Sequence, residues 1–166
     1  KNYLMLKKNI NKNFLFNNLH RYLNLSKLNK LRLKIYNELN SKKWLKDAYF
    51  SLASKTIENI VGNELAMQNN INFSIQMPND ETSKLELHSD SLSGESKFQI
   101  VLWVPFMKVY KTKSMYIFNK EFTKKTLKKL KSYRYLGMSS IHKKNINKKK
   151  FLQLKKGQFL IFSPNL

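Results

Sequence analysis

The chain has 166 residues, 42% of them apolar, so it can bury the core of one domain, and its formal charge is +22. It contains no cysteine, which excludes disulfides, thiolate nucleophiles and cysteine-ligated metal sites, so any metal must be held by histidine and carboxylate. The excess of lysine suggests an anionic partner such as nucleic acid. The lysines are spread along the chain with abundant asparagine and isoleucine, however, a bias that A/T-rich codons also produce. Nucleic-acid binding is therefore an alternative and not our leading interpretation.

Residues 1–70 are predicted to be a helical N-terminal part. Apolar residues recur at helical spacing over residues 19–39 and again over residues 43–67, with Lys, Arg and Asn between them. The lysine-rich faces of these helices are typical of solvated surface. No apolar run reaches the ~20 residues needed to span a bilayer, and the first residues lack the apolar core of a secretory signal. The sequence therefore predicts a soluble, cytoplasmic protein without a membrane partner.

Residues 71–166 are predicted to be the second, mainly β part. Residues 71–77 alternate apolar and polar side chains, and Pro-Asn-Asp at 78–80 predicts a turn. Further short strands are predicted at residues 84–90, 98–105, 115–118 and 157–162, and residues 120–131 are either a short basic helix or a solvated insertion. The whole pattern predicts an α+β chain, mainly β after its helical N-terminal part, with a jelly roll as its core.

Acidic residues are concentrated in one stretch of this basic chain. Half of the 10 acids lie in residues 80–95, namely Asp80, Glu81, Glu86, Asp90 and Glu95. This local reversal of charge predicts a cation site. Residues two apart in a strand point to the same face, so Glu86, His88 and Asp90 would project together. An imidazole and a carboxylate at this spacing form two thirds of a 2-His-1-carboxylate facial triad on iron(II). By itself, the tripeptide also fits a structural His hydrogen-bonded to a nearby Asp.

The succession of motifs from residue 71 to residue 118 resembles the phytanoyl-CoA-dioxygenase-like branch of the Fe(II)- and 2-oxoglutarate-dependent oxygenases. Within that branch it looks most like the oxygenases of sporadically distributed carbohydrate biosynthesis clusters. The matching elements are the strand with Gln76 before the Pro-Asn-Asp turn, the metal motif His88-Ser89-Asp90, the turn Ser93-Gly94-Glu95-Ser96, the strand at 98–105 and Lys113-Ser114-Met115. The ending GQFLIFSPNL resembles the strand that leads into the distal His of that family. The resemblance covers about the second two thirds of the chain.

The resemblance implies a double-stranded β-helix, which is a cupin-like jelly roll, incomplete at its C-terminus. It implies iron(II) held by His88 and Asp90, with 2-oxoglutarate as the co-substrate. In the family, a third ligand, a His, and an Arg that binds the co-substrate would lie beyond Leu166. We therefore expect the 166-residue chain by itself to be inactive.

Further site residues are suggested with less support. Gln76, Trp103 and Ser114 would contact the co-substrate or line the pocket, although Gln76 is equally consistent with a polar surface position and Trp103 with the core. The resemblance gives Glu86 no role. His142 is the only downstream His, but the lysines beside it would oppose the binding of a dication.

The substrate implied by the resemblance is a sugar or nucleotide-sugar of surface carbohydrate biosynthesis, oxidised with dioxygen. A jelly-roll module that binds a sugar or a metal without turnover is the main alternative. The sequence has no glycine-rich phosphate loop, nucleophile elbow or helix-borne zinc motif, so NTPase, serine hydrolase and metalloprotease functions have no support.

Overall fold

The computed structural model describes residues 16–81, 85, 87–90, 94–96, 98–132 and 145–164. The chain divides into two compact units, Lys1–Lys84 and Leu85–Leu166. The described residues form four α-helices and four short β-strands, so the predicted α+β class is confirmed, and no closed barrel is present among them. None of the described helices combines the length and the apolar character needed to cross a membrane.

Helices build the described part of the first unit: α1 (Leu25–Asn40), α2 (Lys43–Ser51) and α3 (Ser54–Val61), preceded by a short 3-10 helix, Leu19–Arg21. The side chain of Asn24 caps α1 by accepting a hydrogen bond of 3.0 Å from the N–H of Lys27. Helix α3 ends at Val61, and the next residue, Gly62, has a φ of +89°, a backbone conformation that favours glycine. The prediction for residues 43–67 is therefore right in type but wrong in length, because the chain breaks between α2 and α3 and leaves the helix at Gly62.

Residues 71–77 do not form a strand of a sheet, although half-buried and exposed side chains alternate along them. Side chains of α1 take the place of a neighbouring strand. Asn40 donates from Nδ2 to the carbonyl oxygen of Ile71 over 3.1 Å and accepts the N–H of Ile71 on Oδ1 over 2.7 Å. Arg32 donates from Nε to the carbonyl oxygen of Ile75 over 3.0 Å. The strand prediction is wrong because helix side chains, not a ladder, pair with this backbone.

The turn predicted at residues 78–80 is present. The N–H of Asp80 donates to the carbonyl oxygen of Met77 over 3.3 Å, and Asn79 is in the left-handed region with φ of +59°. The carboxylate of Asp80 is only 1% exposed, and its Oδ2 lies 3.4 Å from the Nη2 of Arg32. One acid of the acidic stretch is therefore part of an ion pair that fastens the turn to α1.

The second unit is built on antiparallel pairing. Strand β1 (Val101–Trp103) pairs with β4 (Leu160–Phe162), and β2 (Tyr116–Ile117) pairs with β3 (Lys150–Phe151). An isolated bridge joins Val109 to Leu154. The pairings are nested, so residues 101–117 and residues 150–162 form the two sides of one interrupted ribbon. Strands β1, β2 and β4 lie within predicted strands, whereas β3 was not predicted.

The ribbon is interrupted at two places rather than continuous. Between the β1–β4 pair and the isolated bridge each side has five residues, so the register is kept across the gap. Pro105, which has no N–H to donate, lies on one side of this gap, and Gly157, with φ of +87°, lies on the other. Beyond the bridge, the 3-10 helix Lys111–Lys113 takes up extra residues on one side only. Both interruptions let the chain change direction.

Helix α4 (Lys120–Ser132) follows β2 at the closed end of the ribbon and confirms the helical alternative for residues 120–131. The Oδ1 of Asn119 accepts a hydrogen bond of 2.8 Å from the N–H of Phe122 and so caps the helix. The ring of Phe122 lies 4.7 Å from that of Phe118, which in turn lies 5.9 Å from Tyr116. Tyr116 also contacts Phe151 of β3 at 5.7 Å, so an aromatic cluster joins α4 to the ribbon.

Candidate functional site

The predicted metal ligands, His88 and Asp90, lie side by side in the second unit. The Nε2 of His88 is 3.5 Å from the Oδ1 of Asp90, and the two side chains are 50% and 33% exposed. The described part of residues 84–90 belongs to no strand, so the pleat of a sheet does not align the pair. A turn follows the pair, in which the N–H of Glu95 donates to the carbonyl oxygen of Asp90 over 3.1 Å and Gly94 has φ of +100°. This is the described part of the turn predicted at residues 93–96.

Ser89, between the two candidate ligands, is only 6% exposed. Its Oγ donates a hydrogen bond of 2.8 Å to the carbonyl oxygen of Pro164, 75 residues further along the chain. The side chain of Pro164 is itself fully buried. Ser89 therefore points into the protein while both of its neighbours reach solvent. The same bond places the end of the ribbon beside the His88–Asp90 pair.

The pair lies at the open end of the ribbon, opposite α4 along the ladder. Val101 at the start of β1 pairs with Phe162 at the end of β4, and Pro164 comes two residues later. Trp103, which is half-buried, lies opposite Leu160 at the other end of β1, about 7 Å along the strand from Val101. The structure thus places Trp103 on the strand that begins beside the site.

The donor atoms of the pair fit two positions on a first-row metal ion. Donors about 2.1 Å from a metal are about 3.0 Å apart at an angle of 90° and about 3.4 Å apart at the tetrahedral angle. The observed separation of 3.5 Å needs little adjustment to reach either value. An imidazole nitrogen and a carboxylate oxygen are also the donors of iron(II) facial-triad sites. Within the ranges that the structure describes, no three His, Asp or Glu side chains form a metal-binding group.

Ser114 occupies an unusual position at the start of β2. Its N–H donates to the carbonyl oxygen of Lys111 over 3.0 Å, which closes the 3-10 helix before the strand. Its Oγ is buried and has no hydrogen-bond partner among the described residues. A buried hydroxyl without a partner costs free energy that a bound polar group would recover. This is the arrangement expected of a hydroxyl that binds a ligand.

The remaining candidates from the sequence are Gln76, Glu86 and His142. Gln76 belongs to the first unit and has an exposed side chain. Glu86 and His142 lie outside the described residues. Their roles stay predictions.

Sequence reasoning missed Ser89 and Pro164 as residues that shape the site. A signal for Ser89 was present, because the middle residue of a His-x-Asp motif must turn away from whatever its neighbours bind. No local pattern indicates Pro164, since its partner lies 75 residues away in the chain.

The comparisons with known proteins add no relative to this description. No protein-family model, curated protein or solved structure matches the chain. The arguments for function therefore come from the geometry of the pair, from the buried contact beneath it and from the resemblance in the motifs.

Proposed function

We propose that this chain belongs to a cytoplasmic Fe(II)- and 2-oxoglutarate-dependent oxygenase that oxidises a sugar or nucleotide-sugar. The observation that carries the proposal is the solvent-accessible His88–Asp90 pair, whose donor atoms lie 3.5 Å apart above the buried side chain of Ser89. Both donors can reach one ion while open coordination positions remain. The order of the surrounding motifs supports iron over zinc, since these motifs resemble those of an oxygenase family.

The proposed fold of the second unit is a double-stranded β-helix. The nested antiparallel pairs support it, because a jelly roll is built from antiparallel strands folded into two facing sheets. In that fold the open end of the ribbon, where β1 begins and β4 ends, carries the metal motif. The position of Ser89 against Pro164 agrees with this arrangement.

Each residue of the site has a distinct role in this proposal. His88 and Asp90 hold the metal, and Ser89 fixes their orientation through its bond to Pro164. Ser114, whose buried hydroxyl has no partner among the described residues, lies toward the closed end of the ribbon and away along the ladder from the pair, so its contact with 2-oxoglutarate stays a prediction. Iron, when bound, would supply the chemistry by which dioxygen converts 2-oxoglutarate to succinate and carbon dioxide and oxidises the substrate.

The test is anaerobic titration of the full 166-residue chain with iron(II), comparing the parent with His88→Ala and Asp90→Ala. We expect each substitution to weaken iron binding by more than about 100-fold, because groups that only support a ligand are already worth roughly 10- to 100-fold. His20→Ala and Asp47→Asn are the matched controls, since both side chains are exposed and lie in the first unit. Equal binding by all five proteins would make the pair structural.

A second assay separates catalysis from binding. Release of succinate from 2-oxoglutarate is measured aerobically with iron and ascorbate in the full-length protein that the resemblance implies, with the same variants as controls, because the 166-residue chain by itself is expected to be inactive. Release that disappears in His88→Ala and Asp90→Ala supports an oxygenase. Tight iron binding without any consumption of 2-oxoglutarate favours the non-catalytic binding module instead.

A further inference from the structure

A strongly basic surface lies at the closed end of the ribbon, away along the ladder from the metal pair. We call it the lysine face and define it by the lysines of α4 and of the segment before and within β3. These are Lys120, Lys124, Lys125, Lys128, Lys129, Lys148, Lys149 and Lys150, and all are exposed except Lys149, which is half-buried. Glu121 is the single acid in the described part of α4. The face therefore concentrates positive charge well beyond the average of the chain.

Helix α4 has two distinct sides. The side chains toward the protein are half-buried: Phe122, Thr123, Thr126 and Leu127. Because successive residues are about 100° apart around a helix, Lys120 and Lys124 lie on one flank of the exposed side and Lys125 and Lys129 lie on the other. Lys128 lies near the middle of the exposed side, so the lysines cover this side from one flank to the other.

One cation–π contact connects the basic segment before β3 to helix α4, and a second connects it to β2. The Nζ of Lys148 lies 4.8 Å from the ring centre of Phe122 in α4, and the Nζ of Lys149 lies 4.6 Å from that of Tyr116 in β2. These contacts bring the positive charges of the two segments onto one surface. They also cover the two rings, which are then not available to stack on bases or to enter a lipid bilayer.

The repulsion among the lysines of this face indicates the kind of ligand that it would bind. Like charges within roughly 10 Å of one another repel at physiological salt and oppose the compact state. On α1, by comparison, Lys34 lies 3.8 Å from Glu38, so an acid reduces the repulsion there. Along α4, Glu121 is outnumbered by the lysines around it. A polyanion that supplies several negative charges together would remove the repulsion.

We propose that the lysine face binds the phosphate backbone of a nucleic acid without regard to base sequence. A helix about 10–12 Å across matches a major groove about 12 Å wide, and lysines on both flanks can then reach the phosphates on both sides of the groove. An anionic membrane fits less well, because the apolar side of α4 is packed on the aromatic cluster and is not available to enter a bilayer. Lysine ammonium groups contact phosphate as point charges, which positions a duplex but does not read its sequence.

The test is fluorescence anisotropy of a labelled duplex of mixed sequence with the full chain at several salt concentrations. One variant combines Lys124→Gln, Lys125→Gln, Lys128→Gln and Lys129→Gln. The matched control removes the same charge from exposed positions of the first unit by Lys30→Gln, Lys42→Gln, Lys43→Gln and Lys55→Gln. Circular dichroism verifies the helix content of both, which we expect to be unchanged because Lys and Gln have similar helix propensity.

The expected result follows from counterion release. If the four replaced lysines of α4 contact phosphates, they contribute roughly −3.6 to the slope of log K against log salt, which is about a 100-fold loss of affinity between about 50 and 200 mM salt. The α4 variant should lose most of this slope, and the control should change it by less than about 1.

Three results would overturn the proposal. Equal weakening by both variants would mean attraction by net charge alone. Absence of duplex binding at the lowest salt would mean that the face binds no nucleic acid. Binding to vesicles of equal parts phosphatidylcholine and phosphatidylserine, without binding to the duplex, would assign the face to a membrane. None of these results depends on iron, so they leave the proposed oxygenase function to its own tests.

Discussion

Asp80 and Asp90 are ten residues apart in the sequence, and each lies beside a basic side chain, but their surroundings in the two units differ. In the first unit, the carboxylate of Asp80 is 1% exposed and lies against Arg32, which also holds the backbone of Ile75. In the second unit, His88 and Asp90 are 50% and 33% exposed and lie 3.5 Å apart. The buried pair cannot release its acid to a ligand without leaving a charge in the protein. The exposed pair can bind an ion at little cost, so burial, and not the local density of acids, separates a structural acid from a candidate ligand.

The largest expected effect tests the buried pair. Asp80→Asn keeps the shape of the side chain but removes the charge that faces Arg32. We expect it to lower the free energy of unfolding of the first unit by about 2–3 kcal/mol, less than the ~3–5 kcal/mol for a fully buried pair because Arg32 is 24% exposed. Urea unfolding followed by Trp44 fluorescence in a Trp103→Phe background reports on this unit.

Its control is Asp47→Asn, at an exposed position of α2, which should change the free energy by no more than about 0.5 kcal/mol. A similar effect from both substitutions would contradict a special role for Asp80.

The next effect tests the support beneath the exposed pair. Ser89→Ala removes the donor to the carbonyl oxygen of Pro164 and leaves a buried acceptor unsatisfied. We expect a loss of about 1–2 kcal/mol in the stability of the second unit, measured by Trp103 fluorescence in a Trp44→Phe background. Iron affinity should fall by about 10-fold or more, because supporting hydrogen bonds orient ligands.

Ser96→Ala, an exposed position after the turn, is the control for both quantities. Unchanged iron affinity in Ser89→Ala would separate the buried bond from the candidate metal site.

A smaller effect is expected at the turn after the pair. Gly94 has φ of +100°, and a Cβ added there would meet no atom within 4 Å. Gly94→Ala should therefore cost about 1 kcal/mol through backbone strain alone. Gly94→Asn should cost less, because Asn accepts positive φ more readily than Ala. Thermal unfolding of both variants measures the difference, and an equal loss in the two would point away from backbone strain.

The smallest effect is expected from the candidate ligands themselves in the absence of metal. His88→Ala and Asp90→Asn should each change the stability of the second unit by less than about 0.5 kcal/mol, since the two side chains are 50% and 33% exposed and water screens their interaction. The measurement is the same Trp103-reported urea unfolding with chelator present. A loss comparable to that of Asp80→Asn would erase the contrast between the two pairs and make His88–Asp90 a structural contact.

Much of the candidate site could be predicted from its sequence, and the rest could not. His88 and Asp90 are two residues apart, so their proximity needs only a local backbone conformation. The buried role of Ser89 depends on Pro164, and the unsatisfied hydroxyl of Ser114 depends on how the ribbon packs around it. Such contacts join distant parts of the chain, and the spacing of residues in one segment carries no information about them.

The fold likewise contains elements that the local sequence predicts and elements that depend on distant parts of the chain. Local sequence signals predict helix α1, the turn that ends at Asp80 and, as one of two alternatives, helix α4, because periodicity and turn preferences act over a few residues. By contrast, residues 71–77 are held by tertiary contacts with Arg32 and Asn40 instead of by a sheet. Long-range pairing also forms β3 and joins the strands into one interrupted ribbon. In each of these cases the partner that satisfies the backbone hydrogen bonds lies far away in the sequence, so no local pattern indicates it.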